Sequence, residues 1–253
     1  MGAPVTERPI LLDLFCGAGG AAAGYARAGF EVIGVDIVPQ PRFPFEFLLS
    51  DWSDPLTILP GLWEDDGRPF AIHASPPCQR YSRGTKVHGR GVIDGHPDLV
   101  DEVREFLDAV GAPYVLENVP GSPLTNTVTL CGSSFGLGVR RHRLFEVSPE
   151  PPLLVPPCVH GDAPVPVYGH TGAGANRGRE RDRGRLNGVA EWRDAMGIGW
   201  MTRDELAEAI PPAYTAFLGE HLLALLDGSW TPVPQDVFAG RTRFGAYRLV
   251  ASW

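Results

Sequence analysis

Residues 10–20 are Ile10-Leu11-Leu12-Asp13-Leu14-Phe15-Cys16-Gly17-Ala18-Gly19-Gly20, a passage from an apolar run into a glycine-rich turn. We predict a buried strand over Ile10–Phe15, a turn over Gly17–Gly20 and a helix over Ala21–Ala28 that ends at Gly29. Glycine supports sharp turns and a close approach of the backbone to a ligand. Because many α/β proteins have such a turn for packing reasons alone, the stretch indicates the fold before it indicates a function.

Apolar runs of strand length alternate with helical patterns as far as residue 148. The predicted strands are Glu31–Asp36, Phe70–Ala74 and Tyr114–Val119. A helix is predicted over Pro97–Val110, where apolar residues recur at intervals of three and four. This alternation predicts right-handed crossovers and an α/β architecture, in which helices cover a parallel, Rossmann-like sheet.

The composition changes near residue 148. We predict that residues 1–148 form the core of the protein and that residues 149–189, rich in proline, glycine and arginine, form a small irregular lobe. Helical patterns return over residues 190–226, and residues 227–253 form a C-terminal tail of unassigned role.

Charge and cysteine usage restrict the possible functions of this 253-residue chain. Its net charge of −8 argues against binding nucleic acid by bulk electrostatics alone. Lys86 is the only lysine, so nearly all positive charge is arginine, which suits phosphates and base edges. The four cysteines show no paired spacing and lie far apart in the sequence, so we expect free thiols rather than a disulfide framework or a zinc site. No apolar run has membrane-spanning length and no leader is apparent, so an unexported, cytoplasmic protein is expected.

A cysteine follows directly on the predicted strand Phe70–Ala74. The residues there are Ser75-Pro76-Pro77-Cys78-Gln79-Arg80-Tyr81-Ser82. Proline fixes its own backbone and disfavours helix in the residue before it, so Cys78 should lie on a stiff turn at the carboxyl end of a strand. Ligands of open α/β sheets bind at that edge, so Cys78 is a candidate nucleophile. The alternative is a small apolar residue in a turn.

Two acids follow predicted strands in positions that suit a nucleoside cofactor. Asp36 ends the second strand, where its carboxylate can accept hydrogen bonds from both ribose hydroxyls. Asp51 lies where a third strand would end, and it could accept a hydrogen bond from an adenine amino group.

Several short segments together resemble the cytosine-5 DNA methyltransferases, in particular the short, phage-like members of that family. The matching segments, in the family's order, are Asp13 to Gly20, Pro77-Cys78-Gln79, Glu117-Asn118-Val119, Arg141-His142-Arg143 and Ile210-Pro211-Pro212-Ala213-Tyr214. The resemblance covers most of residues 10–226. It implies a catalytic and cofactor-binding core over residues 1–148, a target-recognition lobe over residues 149–189, and S-adenosylmethionine as cofactor.

The resemblance also implies a role for each matching residue. Cys78 would add to carbon 6 of cytosine, a protonated Glu117 would bind ring nitrogen 3, and Asn118 would fix the exocyclic amino group or the neighbouring backbone. Arg141 and Arg143 would hold the base carbonyl, orient Glu117 and lower the pKa of the thiol, both lying on one face of a strand. The implied cofactor-binding residues are Phe15, Gly17, Gly19, Gly20, Asp36, Ile37, Asp51, Trp52 and Pro77.

Double-stranded DNA is the implied partner, and a stacked base must be flipped out before it can react. We expect phosphate contacts from a glycine-rich loop over residues 80–96, and contacts from the arginines of the lobe. The candidates are Arg80, Arg83, Lys86, Arg90, Arg177, Arg179 and Arg181. Flexible, solvated loops are the alternative for both segments.

The chain departs from the family pattern in two informative places. Val139 stands where a glutamine is usual, and the lobe is short, which predicts a short or degenerate recognition site. Structured RNA is therefore an alternative substrate, and a non-catalytic nucleic-acid-binding relative is a second alternative. We expect a monomer in the cytoplasm of a bacterial or phage-infected cell, where a separate restriction nuclease is a further conceivable partner.

Overall fold

The computed structural model describes residues 8–58, 68–81, 98–149, 155–161, 164–167 and 188–226. The strands are β1 Ile10–Leu14, β2 Glu31–Asp36, β3 Glu46–Leu49, β4 Phe70–Ala74, β5 Tyr114–Asn118, β6 Thr127–Leu130 and β7 Arg143–Ser148. The helices are α1 Gly20–Ala28, α2 Pro55–Ile58, α3 Val100–Val110, α4 Val189–Met196, α5 Arg203–Glu208 and α6 Pro212–Leu226. A single 3₁₀ turn, Gly132–Phe135, follows β6 within these residues.

The seven strands form one sheet in the order β3-β2-β1-β4-β5-β7-β6. The first five strands are parallel, and this confirms the predicted Rossmann-like α/β architecture. The predicted parallel arrangement does not extend to one edge, where β7 runs antiparallel to both β5 and β6. No α-helix lies between β5 and β6 or between β6 and β7, as is possible for antiparallel neighbours. The alternation of strands and helices in the sequence therefore did not reveal these two strands.

Alternate residues of each strand face opposite layers of the core. Leu12, Ile72 and Leu116 pack on one face of the sheet with α3. Their neighbours Leu11 and Val115 pack on the other face with α1 and α6. Both faces are covered, which explains why the central strands are apolar almost throughout.

Close contact between α1 and α6 depends on a glycine. A side chain at Gly24 would place its Cβ 1.9 Å from Thr215 Oγ1 and 2.2 Å from the Pro212 carbonyl oxygen. The Thr215 hydroxyl donates to the Ala21 carbonyl across the same interface, at 2.8 Å. The returning helix α6 is therefore fixed directly against the helix that follows the glycine-rich turn.

A third apolar cluster joins α4 and α5 to the core. Trp192 and Met196 of α4 pack with Leu206 of α5, and the same cluster includes Ala18 of the glycine-rich turn and Val139. Helix α5 begins with a capping box, in which the Thr202 hydroxyl accepts from the Glu205 amide. The segments at residues 155–161 and 164–167 contain neither helix nor strand. No helix among the described residues has the length and apolar character needed to cross a membrane.

Candidate active site at the carboxyl edge of the sheet

The carboxyl ends of four neighbouring strands meet at one edge of the sheet. In the register of the sheet, Leu14 pairs with Val35 of β2 and with Ala74 of β4, which in turn pairs with Leu116 of β5. The segments that follow these positions carry Phe15, Asp36, Cys78 and Glu117. Residues far apart in the sequence therefore come together at this edge.

Asn118 holds the turn that carries Cys78. Its side-chain amide is fully buried and donates to the Pro76 carbonyl at 3.0 Å, while its oxygen accepts from the Val119 amide at 2.9 Å. Of the two roles expected for Asn118, the contacts match the fixing of neighbouring backbone. Cys78 itself is half-buried, and its carbonyl accepts from the Tyr81 amide.

Glu117 is an acid in an almost closed environment, with 5% of its surface exposed. Its Oε1 lies 3.0 Å from Arg143 Nε in an ion pair, yet no donor is aligned to hydrogen-bond that oxygen. Burial raises the pKa of Glu117 to about 7, although the charges of Arg143 and Arg141 oppose the rise. A substantial fraction of this carboxyl is therefore protonated at neutral pH.

The thiol of Cys78 does not have the lowered pKa that was expected of it. Burial and the Glu117 carboxylate raise the pKa of Cys78, and the opposing effects of Arg143 and Arg141 do not outweigh them. The arginines act in the expected direction, but desolvation of the thiolate is the larger effect. Protonation of Glu117 removes the one charge that disfavours the thiolate and leaves burial as the opposing effect.

Arg141 does not lie on a strand, so it does not share a strand face with Arg143 as we expected. It precedes β7 and has a left-handed backbone, with φ of 26°. Its guanidinium donates to three backbone carbonyls, those of Val167, Ala207 and Ala209, at 2.7 to 2.9 Å. Burial, together with the charge of Arg143, lowers the pKa of Arg141 to about 9. Arg141 therefore ties the helical return to the site as well as contributing charge to it.

Asp36 and the glycine-rich turn form a cradle at the end of β2. One Asp36 oxygen accepts from the Gly17 amide at 3.1 Å, and the other accepts from the Val38 amide at 3.0 Å. The Cβ position of Gly17 faces open space, and its φ of 48° favours glycine. Ile37, which is 65% exposed, presents an apolar surface beside the Asp36 carboxylate.

Asp13 is a functional candidate that we did not select from the sequence. It lies inside β1 with no exposed surface, and no group makes a normal hydrogen bond to either of its oxygens. Burial and the nearby Asp36 carboxylate raise the pKa of Asp13 to about 8, and the Ala22 amide only partly opposes this. The sequence did contain a signal for Asp13, namely an acid inside an apolar strand. A buried acid needs a partner, and none is evident in the neighbouring sequence.

Asp51, Pro77 and Trp52, also expected at the cofactor site, differ in how far they are buried. Asp51 is exposed, and one of its oxygens accepts from both the amide and the hydroxyl of Ser53, while Pro77 is half-buried beside Cys78. Trp52 is buried and packs with its ring centroid 5.8 Å from that of Phe15.

Packing requires glycine at positions 19 and 20. We had expected these two residues only as cofactor contacts. A Cβ on Gly19 would lie 2.8 Å from Pro44, and one on Gly20 would lie 2.5 Å from the Ile210 carbonyl oxygen.

Two of the four cysteines, although well separated in the sequence, lie close together in the fold. Cys131 and Cys158 come together with His142 and His160, and the ligand atoms of these four residues all lie within 4.8 Å of one another. We call this group the Cys–His cluster. Cys158 and His160 form a short C-x-H pair, whereas Cys131 and His142 lie elsewhere in the chain. The spacing in the sequence therefore did not reveal the cluster. None of the four cysteines forms a disulfide.

Two known methyltransferases resemble this chain in sequence, and no protein-family model matches it. The Type II methyltransferase M.AplI of Arthrospira platensis is 27% identical in an alignment of 192 positions, and the match covers 64% of this chain and 54% of that protein. The Type II methyltransferase M.XorII of Xanthomonas oryzae pv. oryzae is 31% identical in an alignment of 127 positions, and the match covers 45% of this chain and 29% of that protein. The chain thus spans about half of the first relative and less than a third of the second.

Solved structures with the same architecture cover nearly the whole chain. The Entamoeba histolytica methyltransferase EhMeth superposes with a TM-score of 0.57 at 13% identity, covering 88% of this chain and 100% of that one. The S. pombe Dnmt2 methyltransferase has the same coverage and identity, with a TM-score of 0.53. The fold is that of a Rossmann-like methyltransferase. At this low identity, the likeness concerns the fold alone.

On this methyltransferase fold, only one of the residues expected to contact DNA is described. Arg80 lies beside the turn of Cys78, and its Nε forms an ion pair of 3.3 Å with Asp98. Tyr81 donates a hydrogen bond to the same carboxylate. The other six, Arg83, Lys86, Arg90, Arg177, Arg179 and Arg181, lie outside the described residues.

Proposed function

We propose that this protein is an S-adenosylmethionine-dependent DNA methyltransferase that acts on carbon 5 of cytosine. The observation that carries the proposal is the buried Glu117, whose pKa is raised to about 7 beside a half-buried thiol, Cys78. A neutral carboxyl and a presented sulfur are the two groups that this reaction needs at one place. The ion pair of Glu117 with Arg143 keeps the carboxyl oriented within the site.

Cys78 supplies the nucleophile in this proposal. Carbon 5 of cytosine is a weak nucleophile, and addition of the Cys78 sulfur to carbon 6 turns the ring into an enamine that can attack a methyl group. Water then removes the proton from carbon 5, and the sulfur leaves as carbon 6 regains its double bond. The hydrogen bond from Asn118 to the Pro76 carbonyl keeps the sulfur at a constant position during both steps.

Glu117 supplies the proton that makes the addition possible. Negative charge moves onto the ring as the sulfur adds, and a protonated Glu117 at ring nitrogen 3 withdraws it. The productive protein carries a thiolate on Cys78 and a proton on Glu117, and each of these states favours the other electrostatically. Arg143, and Arg141 behind it, provide positive charge for the base carbonyl.

The residues of the cradle fit S-adenosylmethionine. Asp36 offers carboxylate oxygens for ribose hydroxyls, and Gly17 leaves open space in the turn. Ile37 offers an apolar face for the adenine, and Asp51 keeps one oxygen for its amino group. When bound, the cofactor supplies an electrophilic methyl group on a sulfonium.

Double-stranded DNA is the proposed substrate, since both relatives named above are Type II methyltransferases. The reactive carbon is reached only after the base is flipped out of the helix. Arg80 is one candidate for a phosphate contact, and it would exchange its bond to Asp98 for one to the backbone of the DNA. The monomeric state, the cytoplasmic location and a separate nuclease remain predictions of the sequence analysis.

Trapping on a mechanism-based substrate tests the proposal. Duplex DNA containing 5-fluorocytosine should form a denaturation-resistant adduct with the wild-type protein in the presence of S-adenosylmethionine, because fluorine cannot leave as the proton does. Cys78→Ser should form none, and unmodified DNA is the control. A transfer RNA with 5-fluorocytidine, tested in parallel, distinguishes an RNA enzyme. If neither nucleic acid traps the wild type, the proposal is wrong.

A further inference from the structure

The Cys–His cluster lies outside the proposed active site and has no part in its chemistry. Cys131 follows β6 and is buried, and His142 directly precedes β7. Cys158 and His160 come from the segment at residues 155–161, which contains neither helix nor strand. Three separate parts of the chain therefore bring two sulfurs and two imidazoles to one point.

The distances between these atoms suit a tetrahedral metal ion. Three sulfur-to-Nε2 distances are given by the structure: 3.5 Å from Cys131 to His160, 3.2 Å from Cys158 to His142 and 3.0 Å from Cys158 to His160. Zinc bonds of about 2.3 Å to sulfur and about 2.0 Å to nitrogen, at tetrahedral angles, separate the two atoms by about 3.5 Å. Small movements would therefore bring all four atoms onto one ion.

The kinds of ligand also select the metal. Both histidines present Nε2 to the sulfurs, and their ring centroids lie 5.1 Å apart in an edge-on arrangement. Thiolates and imidazoles together bind zinc, whereas magnesium and calcium require oxygen ligands. Four protein ligands leave no open position for a substrate, which is typical of structural zinc sites.

We propose that the Cys–His cluster is a structural zinc site of the Cys₂His₂ type. Zinc binding releases the two thiol protons to solvent and leaves two thiolates, so the ion and its four ligands carry no net charge. The Ser133 hydroxyl, 3.2 Å from the Cys131 sulfur, then donates to that thiolate. The Arg140 carbonyl, to which the Cys131 thiol donates at 3.0 Å, retains its other bond from the Gly132 amide.

Zinc at this position would fasten an irregular segment to the sheet. Without the metal, side-chain bonds such as that from Arg140 to the Gly161 carbonyl, at 3.0 Å, hold residues 155–161 to the segment that precedes β7. Irregular segments have few backbone bonds of their own, and a metal that joins three parts of the chain offsets that weakness.

The zinc site would also brace the arginines of the active site. His142 stands between Arg141 and Arg143 in the chain, and its carbonyl accepts from Arg143 Nη1 at 3.1 Å. A metal bond to the His142 ring would limit the movement of both arginines. This consequence rests on the proposed function, whereas zinc binding itself does not.

Metal analysis of the full-length protein, purified without chelator, tests zinc binding directly. Wild type should contain one zinc ion per chain. Cobalt(II), added to protein stripped of zinc, should give the visible bands of tetrahedral coordination and a thiolate charge-transfer band. Cys158→Ser and His160→Ala should each lose the bound zinc and the cobalt spectrum. Cys78→Ser, which removes a thiol outside the cluster, should retain both.

Three results would overturn the proposal. They are zinc content at background in the wild type, zinc retained by Cys158→Ser, or a disulfide between Cys131 and Cys158 in protein purified with reductant. These readouts do not depend on methyl transfer, so an inactive protein that binds zinc refutes only the proposed function. In an active protein, removal of zinc with EDTA should reduce kcat, and added zinc should restore it. An unchanged kcat would refute the bracing of the arginines.

Discussion

Glu117→Gln is expected to stabilise the folded protein above neutral pH and at the same time to slow methyl transfer strongly. In the unfolded chain this carboxyl ionises near its ordinary pKa of 4.5, whereas burial raises its pKa in the folded protein to about 7. Folding therefore becomes less favourable as the pH rises between these two values, because the folded state resists losing the proton. Glutamine has almost the same shape and carries no charge.

The magnitude follows from the two pKa values. One pKa unit corresponds to about 1.4 kcal/mol, so the rise from 4.5 to about 7 corresponds to about 3 kcal/mol. Because Glu117 is almost fully buried, solvent does little to screen this cost. Relative to wild type, the free energy of unfolding of Glu117→Gln should be unchanged below about pH 4 and about 3 kcal/mol higher above about pH 8.

Glu146→Gln is the matched control, because the pKa of Glu146 is shifted in the opposite direction and the effect on stability should have the opposite sign. Although burial opposes the change, hydrogen bonds from Arg104 and the Thr125 amide lower the pKa of Glu146. A lowered pKa contributes stability above the unfolded value, and this stability is lost as the pH falls. Glu146→Gln should therefore destabilise the protein most at high pH, where Glu117→Gln stabilises it.

Urea unfolding at several pH values, followed by tryptophan fluorescence, measures both variants. Methyl transfer from radiolabelled cofactor should fall by about 10²- to 10⁴-fold in Glu117→Gln, since the transferable proton is lost. The wild-type rate should decline as the pH rises through about 7, when Glu117 ionises. A difference in stability between Glu117→Gln and wild type that does not vary with pH would show that the carboxyl is not held protonated, and the reasoning would fail.

Two further predictions concern the cradle and the packing of the helices. Asp36→Ala should weaken S-adenosylmethionine binding by ~1–3 kcal/mol, through loss of charge-assisted ribose hydrogen bonds, and unchanged affinity by calorimetry would exclude Asp36 from the site. Gly24→Ala should destabilise the protein by ~1–3 kcal/mol in thermal melts, because the new Cβ would overlap Thr215. Gly199→Ala, where nothing lies within 4 Å, is its control and should melt like the wild type.

Much of the fold was predictable because its signals are local. All four predicted strands and the helix predicted over Ala21–Ala28 appear within one residue of their expected ends, since apolar runs and glycine stops act over a few residues. The strand expected over Ile10–Phe15 ends at Leu14, because Phe15 has a left-handed φ of 61°. The antiparallel strands β6 and β7 were not predicted, because they owe their pairing to distant neighbours.

For the candidate site, the sequence predicted which residues meet but not the pKa of the Cys78 thiol. The motifs selected Cys78, Glu117, Asn118 and Arg143, and the structure brings these residues to one edge of the sheet. They did not reveal that burial outweighs the arginines at the thiol, because a pKa depends on every charge and on the solvent around the group.

The sequence by itself determined the order of the central parallel strands and their helices, the glycine-rich turn and the stiff turn of Cys78, because steric limits on glycine, proline and apolar runs act within each segment. Only the tertiary structure decided which distant groups share a small volume. The raised pKa of Glu117, the unpartnered carboxyl of Asp13 and the Cys–His cluster all arise in that way. Electrostatic energy and metal coordination depend on distances through space, and packing of remote segments sets those distances.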